Sequence, residues 1–110
     1  MKTSKHILVT TTVAKPAAAR RLAHAIVEAR LAACVQYLPI HSVYRWRGTV
    51  EAAEEVLLLA KTRSALSARL IAFIRAHHTY EVPEIVTIPI TGGLPDYLKW
   101  IFTETTNARR

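Results

Sequence analysis

Short β-branched runs and stretches with helical spacing alternate along this chain. Residues 6 to 12 lead from Ile7, Leu8 and Val9 into three threonines, which predicts a strand buried on at least one face. From about 16 to 30, Leu22, Ala25, Ile26 and Ala29 recur at helical spacing behind Pro16, whose missing N–H costs nothing in a first turn. Residues 34 to 47 are rich in Val, Tyr and Ile with Pro39 among them, which predicts a long strand that bulges or lies at an edge near the proline. Gly48 supplies the turn. The segment 49 to 62 begins polar and ends in Val56, Leu57, Leu58, Leu59 and Ala60, an apolar run expected of a central strand covered on both faces. Leu66, Leu70, Phe73, Ile74 and His77 mark one face of a helix from about 64 to 77. Pro83 pushes Val82 towards extended backbone, and Ile85, Val86, Ile88 and Ile90 form a fourth strand with Pro89 suited to an edge or a strand end. Gly92 and Gly93 break the chain before Pro95 opens a last helix, with Tyr97, Leu98, Trp100 and Ile101 as its apolar face.

The resulting order, β-α-β-β-α-β plus a short C-terminal helix, is an α+β, ferredoxin-like split βαβ arrangement in one domain over residues 1–110. That fold hosts many functions and assigns none. A hairpin near 44 to 51 is too long for its own sheet. Open strand edges must be paired or blunted, so pairing between subunits is expected.

Composition strengthens that expectation. A 110-residue chain that is 51% hydrophobic buries only about two-thirds of its unfolded surface alone, which leaves apolar area for other subunits to cover. The single cysteine, Cys34, has no internal disulfide partner and no metal-type pair, which points to a reducing compartment. The amino terminus starts basic, but its apolar run is short and broken by threonines, unlike a secretory leader. A cytoplasmic location is expected. No apolar stretch approaches the roughly 20 residues a membrane span needs. The net charge of +7 would favour phosphate-bearing partners if it were focused on one face. It is spread over Arg20, Arg21, Arg30, Arg45, Arg47, Arg63, Arg69, Arg75, Arg109 and Arg110, so nucleic acid is not an expected partner.

Five segments in order, RLAACV at 30 to 35, YRWRG at 44 to 48, EEVLLLAKT at 54 to 62, HHTYEVPEI at 77 to 85 and PDYLKWI at 95 to 101, resemble the CutA divalent-cation-tolerance family. Each is weak alone, but their order within a chain of this length is specific. The resemblance implies a ferredoxin-like subunit in a compact homotrimer, shaped like PII signalling proteins, with long second and third strands reaching neighbouring subunits. It also implies tolerance to copper and other divalent cations and no established catalytic reaction. The family's copper-binding pattern falls on His77, His78 and a cysteine at the position of Thr11. The cysteine is absent, and a threonine hydroxyl is a poor substitute for the thiolate that favours Cu(I). Thr79 and Leu94 replace the family's usual proline and asparagine.

Candidate chemistry is sparse. His77 and His78 suit Cu(II), Zn(II) or Ni(II) as imidazoles, yet neighbours on a helix point about 100° apart, and the alternative is that His77 completes the apolar face while His78 meets solvent. Glu81 and Glu84 offer oxygen ligands, but Pro83 between them separates their directions. Cys34 reads as an inert core thiol, and His6, His24 and His41 as unpartnered surface or core histidines. Under the resemblance, Tyr44, Trp46, Lys61, Tyr80 and Glu84 converge on a cleft between subunits that suits a small anion or nucleotide-like ligand; interface packing is the alternative. No Ser-His-Asp set, P-loop or paired zinc motif is present, so an enzyme is not expected. Two functions remain: a cation-binding tolerance protein, or a PII-like module that binds a small ligand or a partner protein.

Overall fold

The computed structural model describes residues 4–107, so Arg109 and Arg110 lie outside the described residues. The elements run β1 (His6–Val13), α1 (Pro16–Glu28), β2 (Cys34–Trp46), β3 (Thr49–Arg63), α2 (Ser67–Ala76), β4 (Ile85–Ile90) and α3 (Pro95–Glu104). The strands form one antiparallel sheet in the order β2-β3-β1-β4, which is the ferredoxin-like topology. Pro39 and Pro89 both sit on edge strands, where a missing donor is tolerated. β2 stays in one-to-one register through Pro39, opposite Val56; it lies at an edge and does not bulge.

Side-chain alternation divides the sheet. Ile7, Val9 and Val13 from β1 and Val56, Leu58 and Ala60 from β3 pack under α1 and α2. In α1 the buried positions are Ala19, Leu22, Ala23 and Ile26. Ala25 and Ala29, expected on that face, are half-buried, because alanines at so many positions leave the periodicity weakly phased. α2 buries Leu70 and Ile74 behind a 3-10 turn at Ser64–Leu66.

The other sheet face has little cover. α3 lies on it at the end where β1 starts, where the His6 ring bonds the Leu98 carbonyl and Arg63 donates to Thr105, and at the other end Tyr80 reaches Glu55. Ile101 is the buried anchor of α3, Leu98 is half-buried, and Tyr97 and Trp100 stay exposed. Leu8, Leu38, Leu57, Leu59, Val86 and Ile88 share this face and are all at least partly exposed. Thus the apolar run of β3 is fully covered on one side only within the subunit. Cys34, opposite Lys61, is likewise only partly buried.

β1 reaches β3 only as far as Val56. Beyond it, Thr49–Glu55 pair with β2 alone, so the hairpin projects as a two-stranded arm. Its tip is a two-residue turn in which Arg47 (φ 51) and Gly48 (φ 80) both adopt left-handed backbone, as a type I′ turn requires. Another left-handed residue, Arg30 (φ 59), ends α1. There the Leu31 N–H bonds the Ile26 carbonyl and the Arg30 N–H bonds that of Val27, a Schellman cap that normally takes glycine. Arg30→Gly is expected to raise stability by up to about 1 kcal/mol, the relief of left-handed strain less the added chain entropy. Thermal unfolding checks this, since the exposed Arg30 to Glu104 contact, 3.7 Å, contributes little.

Candidate functional site

The segment 77–84 leaves the end of α2 and passes the end of β1, where the arm has lost its β1 neighbour. Adjacent histidines begin it and have different tasks. The His77 ring stacks on Phe73, with centroids 4.2 Å apart, and its Nδ1–H donates to the Phe73 carbonyl at 2.8 Å. The residue is exposed, and Nε2 has no partner among the described residues. His78 is half-buried; its Nε2 lies 2.6 Å from the Thr12 carbonyl and its Nδ1 3.1 Å from the Tyr80 backbone N–H. A carbonyl only accepts and an amide only donates, so the proton sits on Nε2 and the Nδ1 lone pair is engaged.

That geometry bears on a metal. Both His78 nitrogens are committed, and the Thr11 hydroxyl is fully buried without a hydrogen-bond partner. Among the described residues no group of three His, Cys, Asp or Glu side chains is placed to hold an ion. The trio His77, His78 and Thr11 therefore does not form a closed metal site within one subunit. One open imidazole nitrogen, on His77, is what the surface offers.

A second feature is better built. A cleft of about 780 Å³ lies beside the arm, lined in part by Tyr44, Trp46, Glu55, Tyr80, Glu81 and Glu84. The Tyr80 hydroxyl donates to Glu55 at 2.9 Å. Arg47 reaches from the arm tip to Glu81 at 2.6 Å, and its guanidinium lies 5.3 Å from the Trp46 ring centroid. Tyr44, Trp46, Tyr80 and Glu84 line this cleft within one subunit. Lys61 is not among the lining residues; it sits by α3, its ammonium 3.4 Å from the Tyr97 hydroxyl. Glu55 is absent from the sequence expectations, and Glu81 enters them only as an oxygen-ligand candidate beside Glu84. Glu55 had a usable signal, since it shares strand parity with Leu57 and Leu59 and so falls on the α3 side of the sheet.

Burial first, then the hydrogen bond to Glu55 and its charge, push the Tyr80 phenol up to about 12. The folded state thus favours protonated Tyr80. Its contribution to stability is complete below the ordinary phenol value, near 10, and is lost as pH rises through about 12. In a spectrophotometric alkaline titration Tyr80 is expected to ionise in a late phase near pH 12, and Tyr80→Phe to remove that phase.

A sequence model described as CutA1 divalent ion tolerance protein matches residues 7–104. The chain belongs to this CutA1 family. The chloroplastic CutA protein of Arabidopsis thaliana is 45% identical over 107 residues, covering 96% of this chain and 59% of that protein. The divalent-cation tolerance protein CutA of Thermus thermophilus is 45% identical over 95 residues, covering 86% and 92%. The chain spans only about half the length of the mouse CutA protein, 50%. Among solved CutA1 structures, that from Oryza sativa superposes with a TM-score of 0.91 at 42% identity, covering 96% of this chain and 98% of the rice chain. No helix among the described residues is long and apolar enough to cross a membrane.

Proposed function

We propose that this chain serves divalent-cation tolerance as a homotrimer that binds Cu(II), or another borderline divalent cation, weakly at His77. The observation that carries this is the exposed His77 imidazole with its open Nε2, beside a His78 whose nitrogens are both engaged. Imidazole suits Cu(II), and with no thiolate nearby Cu(I) gains nothing. A role in binding, not catalysis, fits this inventory. The trimer is supported by the half-covered sheet face and by the unpaired β3 edge of the arm, both of which neighbouring copies can cover. Cytoplasmic location is part of the proposal and rests on the lone Cys34; relatives carry the words chloroplastic and periplasmic.

Titrating the wild type, His77→Ala and His78→Ala with Cu(II) tests the metal reading. Weak binding is expected in the wild type, loss in His77→Ala, and release by acid, because an imidazole ligates only when neutral. Equal binding by wild type and His77→Ala would remove this site. Light scattering at micromolar concentration is expected to give a trimeric mass; a monomeric mass contradicts the assembly.

A second reading is favoured by the cleft: a PII-like module that binds a small ligand beside the arm. Tyr44, Trp46, Tyr80 and Glu84 are its proposed contacts within one subunit. Lys61 takes part only if assembly brings it in from a neighbouring subunit.

A further inference from the structure

We infer that the cleft beside the arm is selective for a small organic cation, such as a quaternary or primary ammonium; this deepens the ligand-binding reading of that cleft and rests on it. The chain carries a formal charge of +7, yet no lysine or arginine is among the lining residues, while Glu55, Glu81 and Glu84 are. Three aromatic rings, Tyr44, Trp46 and Tyr80, share the same walls. Aromatic faces and carboxylates together attract ammonium groups, whereas a phosphate or carboxylate ligand would meet repulsion. The one titratable nitrogen in the lining, on His41, lies 3.9 Å from the Glu54 carboxylate.

The protein already demonstrates the interaction internally. Arg47 places its guanidinium against Glu81 and over the Trp46 ring. That pair is one carboxylate and one aromatic ring holding one cation. Tyr44, Tyr80, Glu55 and Glu84 have no such cation on them among the described contacts, and they are the remaining receptor. The raised phenol of Tyr80 agrees, because part of its cause is the Glu55 charge acting in a partly desolvated position. A bare metal ion is a poor occupant, since the carboxylates do not gather into a ligand set. A volume of about 780 Å³ suits an organic molecule instead.

Choline and its uncharged carbon isostere, 3,3-dimethylbutan-1-ol, separate charge from shape, and adenosine monophosphate supplies the anionic comparison. Binding is measured by calorimetry and by Trp46 emission in the full chain carrying Trp100→Phe. Choline is expected to saturate the site and the alcohol to bind roughly tenfold more weakly. Glu55→Gln/Glu84→Gln, with folding checked by circular dichroism, is expected to lose a similar factor. Arg47→Asn, which tolerates the left-handed turn, removes the internal competitor and is expected to tighten choline several-fold. Equal binding of choline and the alcohol, or indifference to the double glutamate change, overturns cation selectivity. Saturable binding of the nucleotide, weakened by Arg47→Asn, overturns it too while leaving the cleft a ligand site. Failure of all three probes, with Trp46 shielded from a soluble quencher, removes both readings and makes the cleft an interface between copies of the chain.

Discussion

Leu58→Ala is expected to cost the fold about 3 kcal/mol, and Leu57→Ala nearly as much in the proposed trimer. The two leucines are chemically identical neighbours on β3. Leu58 is 1% exposed, packed under the helices, so truncation leaves a cavity the core cannot refill. Leu57 points to the face that α3 leaves open and is only half-buried in the subunit. For an isolated subunit Leu57→Ala should cost about 1 kcal/mol or less. For a trimer that buries this face, the loss rises and becomes concentration-dependent, because folding and association are then linked. Urea unfolding at several protein concentrations resolves the cases. A small, concentration-independent effect at Leu57 would mean that the face stays wet.

The same contrast shows what the sequence could reveal. β-branched and apolar runs locate the strands and helical spacing the helices, with Gly and Pro marking the breaks between them. The run Val56 to Ala60 was read as covered on both sides. The subunit covers one side fully, and the other side is left for the proposed assembly to cover. Helix ends were less legible. Residue 30 closes α1 with left-handed backbone although it is arginine, so no glycine advertised the cap. The cleft was legible in its aromatics, because YRWRG and HHTYEVPEI are distinctive segments. Its charge was not. The family resemblance groups Lys61 with an inter-subunit cleft, and within one subunit strand register sets Lys61 opposite Leu8 and Cys34, at the α3 end. Strand parity gives the face of Glu55 but not its partner Tyr80, and nothing local pairs Glu81 with Arg47.

The two adjacent histidines are expected to separate the two proposed activities, and this is the sharper prediction for function. His78 ties the 77–84 segment to the end of β1 through its hydrogen bond to the Thr12 carbonyl, and braces the segment internally by accepting from the Tyr80 amide. Its ring also packs against Tyr80, with centroids 4.7 Å apart. His78→Ala deletes both bonds and leaves two backbone groups without their imidazole partner, a loss of about 2 kcal/mol. Tyr80 then loses its anchor, and with it the alignment of its hydroxyl on Glu55, so the cleft wall loosens. Choline affinity is expected to fall roughly tenfold or more, since the ligand must then order the segment itself. His77 bonds only to the preceding helical turn, at the Phe73 carbonyl, and is exposed. His77→Ala should therefore change stability by less than about 0.5 kcal/mol and leave choline binding intact while abolishing the weak Cu(II) site. Amide hydrogen exchange across 77–84 gives an independent readout: faster exchange in His78→Ala and an unchanged pattern in His77→Ala are the expected results. Parallel effects of the two substitutions on exchange, copper and choline would mean that the histidines act as one unit, and the division of labour would fail.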